Sequence, residues 1–485
     1  MYIKGKKFDW EYVIGLEVHA QISTKSKLFS NASTKFGSKP NSQVEYQDIA
    51  MPGILPVLNK TCIEKAVKTG IGLNAKINLF SVFDRKNYFY HDLPNGYQIS
   101  QFYIPIVQNG FINITDEKGK QKKIIIDRLH IEQDAGKSIH QENKNFTLID
   151  FNRSGIPLME IVTAPNIYSP FQASEYIKNL RKILMYLETC DGDMEKGSLR
   201  CDANVSVKKI GDTNLGQRCE IKNLNSISNI VKAIEVEAKR QIDLIESGEK
   251  IVQQTLSFNE IENITIPLRK KENCQDYKYF PDPDLPPVII TQDYVDKIAN
   301  NLPELPEKKL LRYQQKYNLS KIDAINLTSN KNTSTYFEKL IEIGINPHKS
   351  ASWILTNLFA LLKKKNTDIS NCKISPQKLA SIINLINKGY ISNKSGKIIL
   401  ESVFEGNQKD PIDIAKEKDL VQISNAKEIE SIIKKVISSE KKAVAEYLSG
   451  KTKVFNFIFS QIIKLTRGKA NPEITKSLLI EKLKK

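Results

Sequence analysis

The stretch Tyr12-Val-Ile-Gly-Leu-Glu-Val-His-Ala-Gln21 constrains this chain more than any other. A strand sends every second side chain to one face, so Glu17, His19 and Gln21 project together while Leu16, Val18 and Ala20 project the other way. A carboxylate beside an imidazole is half a metal site. Further segments repeat the device: His130, Glu132 and Asp134 alternate in one, Arg200, Asp202, Asn204 and Ser206 in another, and Glu220 with Lys222 in a third. As neighbours in one antiparallel sheet they would give an apolar packed face and a polar floor of carboxylates, imidazoles and cations. Any one of them alone reads equally well as a solvated sheet face. Surface strands favour Thr, Lys and Ser, however, whereas these gather Glu, His, Asp and Asn, the ligands of hard divalent cations. Jointly they point to a site.

At 485 residues the chain exceeds what one hydrophobic core serves, so two or three domains are expected. The formal charge of +17 calls for an anionic partner, nucleic acid or membrane lipid. The most apolar run, Val454 to Leu465, is too short to span a bilayer and carries Asn456, Gln461 and Lys464, so nucleic acid is preferred. The N-terminus has no apolar signal core, which suggests a cytoplasmic protein. Cys62, Cys190, Cys201, Cys219, Cys274 and Cys372 are scattered without a Cys-x-x-Cys pair, which disfavours structural zinc and a disulfide framework.

Residues 1 to about 165 read mostly as strands and loops, with Tyr88 to Gln101 an aromatic- and amide-rich loop of the kind that walls a ligand. Leu158 to Val162 reads as a buried strand interrupted only by Glu160. Ser169-Pro170 opens a helix with Tyr176, Leu180, Leu184 and Leu187 on its inner face; a second runs from about Ser226 to Glu246 and stops at Gly248. The pattern turns helical beyond about 295, with amphipathic helices at Leu305–Tyr317, Thr333–Ile343, Ser350–Lys363 and Ser375–Gly389, and then becomes a lysine-rich helical tail. This gives an α+β chain of three parts: a sheet-built domain over 1–295, an all-α domain over 296–408 and a small all-α tail over 409–485. In the tail, Val454, Ile458, Ile462 and Leu465 form an apolar stripe, and Lys451, Lys453, Lys464, Arg467 and Lys469 cluster around it as candidate phosphate contacts.

Asp134-Ala-Gly-Lys-Ser138 invites a P-loop reading, but Ile131 stands where that motif needs glycine. The ordered series Val13-Ile-Gly-Leu-Glu-Val-His19, Asp84-Arg-Lys-Asn-Tyr-Phe-Tyr90, Gly96-Tyr-Gln-Ile-Ser-Gln101, Arg128-Leu-His-Ile-Glu132, Asp134-Ala-Gly-Lys-Ser138, Gly197-Ser-Leu-Arg-Cys-Asp-Ala-Asn204, Glu220-Ile-Lys-Asn-Leu-Asn-Ser226 and Tyr279-Phe-Pro-Asp-Pro-Asp284 resembles the GatB family. These are the B subunits of the tRNA-dependent aspartyl/glutamyl-tRNA amidotransferases. The tail, with Gly468-Lys-Ala-Asn-Pro472, resembles the family's YqeY-like domain. The resemblance implies a cradle domain, a helical linker and a tRNA-binding tail. It also implies ATP-dependent phosphorylation of the side-chain carboxylate of Glu-tRNA(Gln) or Asp-tRNA(Asn). Ammonia from a glutaminase A subunit then completes the amide, and a small C subunit joins the heterotrimer. By the same resemblance Glu17, His19, Glu132 and Glu220 take metal-binding positions with Asp202 as a further ligand, and Glu17, Glu132, Lys86 and Tyr88 carry the chemistry. Lys222, Arg200 and Asn204 become ATP contacts.

Hard oxygen ligands with one imidazole suit Mg or Mn better than zinc, and Glu17, His19, Glu132 and Glu220 are expected to converge within coordination distance. Gln133 stands where many relatives carry a second glutamate, His91 where proline is usual and Asn95 where lysine is common. A second reading, from another class, makes the chain a non-catalytic RNA-binding scaffold whose acidic sheet face is merely structural. A stand-alone metal nuclease is a distant third.

Overall fold

The computed structural model describes residues 2–140, 146–269, 277–423, 425–466 and 468–483; Cys274 and Arg467 lie outside them. The chain forms two compact units, Met1–Pro306 and Glu307–Lys485.

The first unit is built on a ten-stranded sheet. Its centre consists of β1 (Asp9–Gln21), β2 (Gln121–Gln133), β3 (Pro157–Thr163), β4 (Leu199–Lys209) and β5 (Cys219–Leu224), in the spatial order β2-β3-β1-β4-β5. These neighbours are antiparallel, as expected, but β5 runs parallel to Thr255–Asn259, so the sheet is mixed. The alternation of β1 does what its sequence requires: Ile14, Leu16, Val18 and Ala20 are fully buried and join one large apolar cluster. The helices α1 (Lys60–Gly72), α2 (Pro170–Leu187) and α3 (Ile227–Ser247) contribute to that cluster, and the helix Gln292–Asn300 adds Val295. Ser169 and Ser226 cap α2 and α3 by accepting from the N–H groups of Gln172 and Asn229, and Gly248, at φ 94°, ends α3.

Helix α1 lies where strands and loops were expected. Its glycines lower helix propensity, but they are there for contact: a Cβ on Gly72 would meet Leu187 Cδ1 at 2.5 Å, and one on Gly70 would meet Ile77 Cδ1 at 2.6 Å. Close packing overrides the local preference.

The start of the chain is pinned by one carboxylate. Glu246, near the end of α3, accepts the N–H groups of Lys6, Lys7 and Phe8 at 2.7, 3.2 and 3.2 Å and Trp10 Nε1 at 3.0 Å. Burial opposes the charge, but these donors outweigh it and pull the carboxyl down to about 2. A carboxyl depressed in the folded state adds stability above its ordinary range, and that stability is lost as pH falls toward the folded value. Release of the 2–10 segment is therefore expected as the pH drops from about 4.5 to about 2. Hydrogen exchange at residues 6–8 across that range checks it, and Glu246→Gln is expected to flatten the pH dependence.

Among its described residues the second unit is made of helices and connecting loops, with isolated bridges Ile391–Val421 and Ile423–Ala470. The expected helices are found at Pro306–Tyr317, Lys331–Glu342 and Pro376–Asn387. The fourth helix, expected at Ser350–Lys363, spans Pro347–Ser352 and Phe359–Lys364 with a π-helical stretch, Trp353–Leu358, between them. Helices Ala426–Ser439, Val454–Leu465 and Pro472–Leu483 close on a small cluster containing Ile429, Ile433, Ile458, Ile462 and Leu479. The stripe on Val454–Leu465 follows an i, i+4 row through Val454, Ile458 and Ile462 to Thr466, whose hydroxyl returns to the Ile462 carbonyl. Leu465 falls off that row and is 60% exposed, which corrects its place in the expected stripe.

Candidate active site

Register brings the polar alternations together. Strand β3 lies between β2 and β1, so Glu160 pairs with His130 on one side and His19 on the other, and Leu158 pairs with Glu132. Across β1, Arg200 faces His19 and Asp202 faces Glu17; Asn204 faces Glu220 on β5. These residues share one face, and all but His130 line the floor of a cavity of about 1180 Å³. The opposite face is the apolar core.

The floor carries two clusters where one was expected. His19, Glu132 and Glu160 each offer an atom within 4.8 Å of the others, and so do Glu17, Asp202 and Glu220. Glu17 and His19 share a face of β1, but each leans to a different neighbour, His19 toward β3 and Glu17 toward β4 and β5. The sequence missed Glu160, which is the link between both histidines. Its signal was a lone carboxylate within an otherwise apolar strand.

In the first cluster His19 Nε2 lies 3.2 Å from Glu160 Oε2 and 3.7 Å from Glu132 Oε1. His130 Nε2 lies 3.5 Å from Glu160 Oε2 and 3.6 Å from Glu132 Oε2, while its Nδ1 is buried without a hydrogen-bond partner. Burial disfavours charge on both rings, yet Glu160 and Glu132 outweigh it and raise each to about 9. Burial likewise works against charge on Glu160, but the two imidazoles hold it well below the usual carboxylate range.

The second cluster is richer in acid. Burial and the carboxylates of Glu160 and Glu220 push Glu17 up, against the Asn204 amide, which donates to Glu17 Oε1 at 2.8 Å. Lys222 Nζ lies 3.0 Å from Asp202 and 2.8 Å from Glu220, and these carboxylates overcome burial to raise its pKa. Thr255 donates to Glu220 at 3.1 Å, and the Asn223 N–H donates to Asp202 at 2.8 Å.

Lys222, Arg200 and Asn204 all line the cavity, yet each is already engaged. Arg200 makes paired contacts with Asp134 at 3.2 and 3.3 Å. Lys86 is less committed: its Nζ sits 4.9 Å from the Tyr277 ring centroid and 5.8 Å from that of Tyr88. Burial opposes its charge, but Glu132 leads the neighbours that raise its pKa, so it stays cationic. Tyr88 donates to Gln98 at 3.4 Å; burial, the largest influence, pushes its hydroxyl up. Gln133 does not line the cavity; its carbonyl accepts from Gln98 Nε2 at 2.8 Å. The rejected P-loop residues Lys137 and Ser138 lie on a strand, Lys137–His140, with no helix to receive a phosphate.

Both clusters suit a hard divalent cation. They offer carboxylate oxygens, one imidazole completes the first set, and the upward push on Glu17 is relieved by positive charge. Sequence comparison decides the family. Residues 12–296 match the GatB/GatE catalytic domain and residues 335–483 the GatB domain. The B subunit of an aspartyl/glutamyl-tRNA(Asn/Gln) amidotransferase from Rickettsia conorii is 53% identical over 482 residues, covering 99% of each chain. The chain belongs to the GatB family. Proteins of the same name from Rickettsia prowazekii, at 54% identity over 99% of each chain, and from Orientia tsutsugamushi, at 53% over 100% of this chain and 99% of that one, are similar GatB relatives. The GatB catalytic match contains every residue of both acid clusters. Among the described residues no helix is long and apolar enough to cross a membrane.

Proposed function

We propose that this chain is the activating subunit of an aminoacyl-tRNA amidotransferase, using ATP to phosphorylate the side-chain carboxylate of Glu-tRNA(Gln) or Asp-tRNA(Asn). It works with a glutaminase A subunit and a small C subunit in the cytoplasm, where tRNA is charged. The observation that carries this reading is the pair of acid clusters on one cavity floor, with Glu132 and Asp202 only 3% and 4% exposed. His19, His130 and Lys222 offset part of this charge, but the carboxylates outnumber them and face an open cavity, so a merely structural face, as in the scaffold reading, is not favoured.

A free carboxylate is a poor acylating agent, and phosphorylation supplies the leaving group. A substrate carboxylate oxygen attacks the γ-phosphorus of ATP, and the bond to the β,γ-bridging oxygen breaks to release ADP. Ammonia then attacks the acyl carbon, phosphate departs with the bonding electrons, and the nitrogen sheds a proton to leave the amide. Mg or Mn held by Glu17, Asp202 and Glu220 or by His19, Glu132 and Glu160 would supply charge neutralisation to the phosphoryl group. Lys86, kept cationic beside Glu132, adds a fixed positive charge at that end of the floor. Asn204 orients Glu17, and Lys222 positions Asp202 and Glu220.

The domain reading assigns activation to residues 1–295, a helical linker to 296–408 and tRNA contact to 409–485. The net charge of +17 supports the tRNA assignment. The test is ATP turnover by the reconstituted three-subunit complex. Hydrolysis dependent on misacylated tRNA is expected, whereas tRNA binding without tRNA-dependent ATP consumption would favour a scaffold.

A further inference from the structure

Glu17, Asn204, Arg218 and Gln253 line both the main cavity and an adjoining alcove of about 290 Å³, whose wall also includes Gly15, Thr163 and Gly216. Arg218 lines both spaces at their junction. The exposed loop that carries it approaches β4 closely at Gly216, where a Cβ would meet the Val207 carbonyl oxygen at 2.2 Å, so this position admits no side chain without displacement. Gln217 Nε2 donates to Gln253 Oε1 at 3.0 Å, tying the loop to the neighbouring segment.

The other cations around the cavity are mostly spent. Arg200 and Arg153 both approach Asp134, Lys196 is held by Asp193, and Lys222 is shared by Asp202 and Glu220. Among the described residues, Lys86 and Arg218 are the cavity cations with no carboxylate within ion-pair distance. Lys86 lies at the β2 side, where Glu132 is its chief electrostatic neighbour, and Arg218 directly precedes β5. Four strand spacings separate β2 from β5, roughly 19 Å. An anion at the β5 end meets the repulsion of Glu17, Asp202 and Glu220, and Lys222 is already neutralised by two of them. Among the described residues Arg218 is the cavity side-chain cation at that end left without a carboxylate partner, and its planar fork matches a phosphate oxyanion.

We propose that Arg218 binds a phosphate group of the substrates at the mouth of this alcove, at the end of the floor opposite Lys86. The ligand chemistry is a phosphate ester, supplied either by the triphosphate of ATP or by the acceptor-end backbone of tRNA. The inference rests on the activating function proposed above.

The test uses the three-subunit complex with Arg218→Ala, Arg218→Lys and Gly216→Ala. Affinity for the β,γ-imido analogue of ATP is measured by equilibrium dialysis and affinity for tRNA by filter binding, alongside thermal unfolding to establish that each variant folds. Arg218→Ala is expected to weaken one of these ligands by about 10-fold or more, through removal of a charge-assisted hydrogen bond. Arg218→Lys keeps the charge without the fork and is expected to restore part of the loss. Gly216→Ala, which displaces the loop but retains the arginine, is expected to reproduce it. A loss confined to the analogue names ATP as the source, and one confined to tRNA names the backbone. Wild-type affinity for both ligands in folded Arg218→Ala overturns the proposal. Failure of the wild-type complex to bind the analogue at all counts against the activating function instead, and the tRNA arm then still decides the role of Arg218.

Discussion

Replacing Glu132 by Gln will reduce tRNA amidation by about 100-fold or more while the glutaminase activity of the A subunit stays measurable. Glu132 is buried on the floor, where its two oxygens lie 3.7 Å from His19 and 3.6 Å from His130 and one accepts from Ser100 at 3.3 Å. Glutamine keeps the volume but exchanges an acceptor oxygen for a donor and removes one negative charge from the first cluster. Both changes weaken that cluster's hold on a cation and on the charge of Lys86, for which Glu132 is the leading favourable influence. The glutaminase reaction is assigned to the A subunit, so it is expected to persist in the variant complex. Unchanged amide formation would show that this carboxylate takes no part in the chemistry.

Removing the tail will weaken tRNA binding and flatten its salt dependence. The cut belongs after Gln422, not at the expected boundary of 408/409, because Ile414 and Ala415 of helix Pro411–Glu417 are buried in the apolar cluster of the preceding helices, with Leu420 and Val421 packed against it. Of the basic residues singled out in the tail, Lys451 pairs with Glu446 at 3.2 Å and Lys469 pairs with Asp419. Lys453 and Lys464 are exposed without a carboxylate partner among the described residues. Each phosphate deprived of its lysine lowers the slope of log affinity against log salt by about one unit, so removal of Lys453 and Lys464 alone predicts a change of about two. ATP binding to the cradle is expected to survive, since both acid clusters lie within the first unit. Equal affinity and equal slope with and without the tail would make its lysines a solvated face.

The parts of the fold legible in the sequence are those where local chemistry and packing agree. Helices α2 and α3 start at Ser169 and Ser226 as their caps announce, and α3 ends at its glycine. The alternation of β1 was readable because the core takes every second residue. Helix α1 was not, because Gly70 and Gly72 serve contacts with distant residues that no local pattern reveals. The site divides in the same way. Alternation within single strands exposed Glu17, His19, Glu132 and Asp202, but their division between two clusters depends on the strand order β2-β3-β1-β4-β5. Glu160 acquires its place only because β3 lies between two histidine-bearing strands, and Arg218 only because its loop folds against β4.

The most direct measurement follows oxygen. The side-chain carboxylate of the glutamate on Glu-tRNA(Gln), or of the aspartate on Asp-tRNA(Asn), is labelled with ¹⁸O, and the inorganic phosphate released during amidation by the complete complex is analysed by mass spectrometry. If the carboxylate attacks ATP, its oxygen bridges to phosphorus and departs with the phosphate, so label is expected in the released phosphate in step with amide formed. Amide formation with unlabelled phosphate would contradict activation by phosphorylation on this floor.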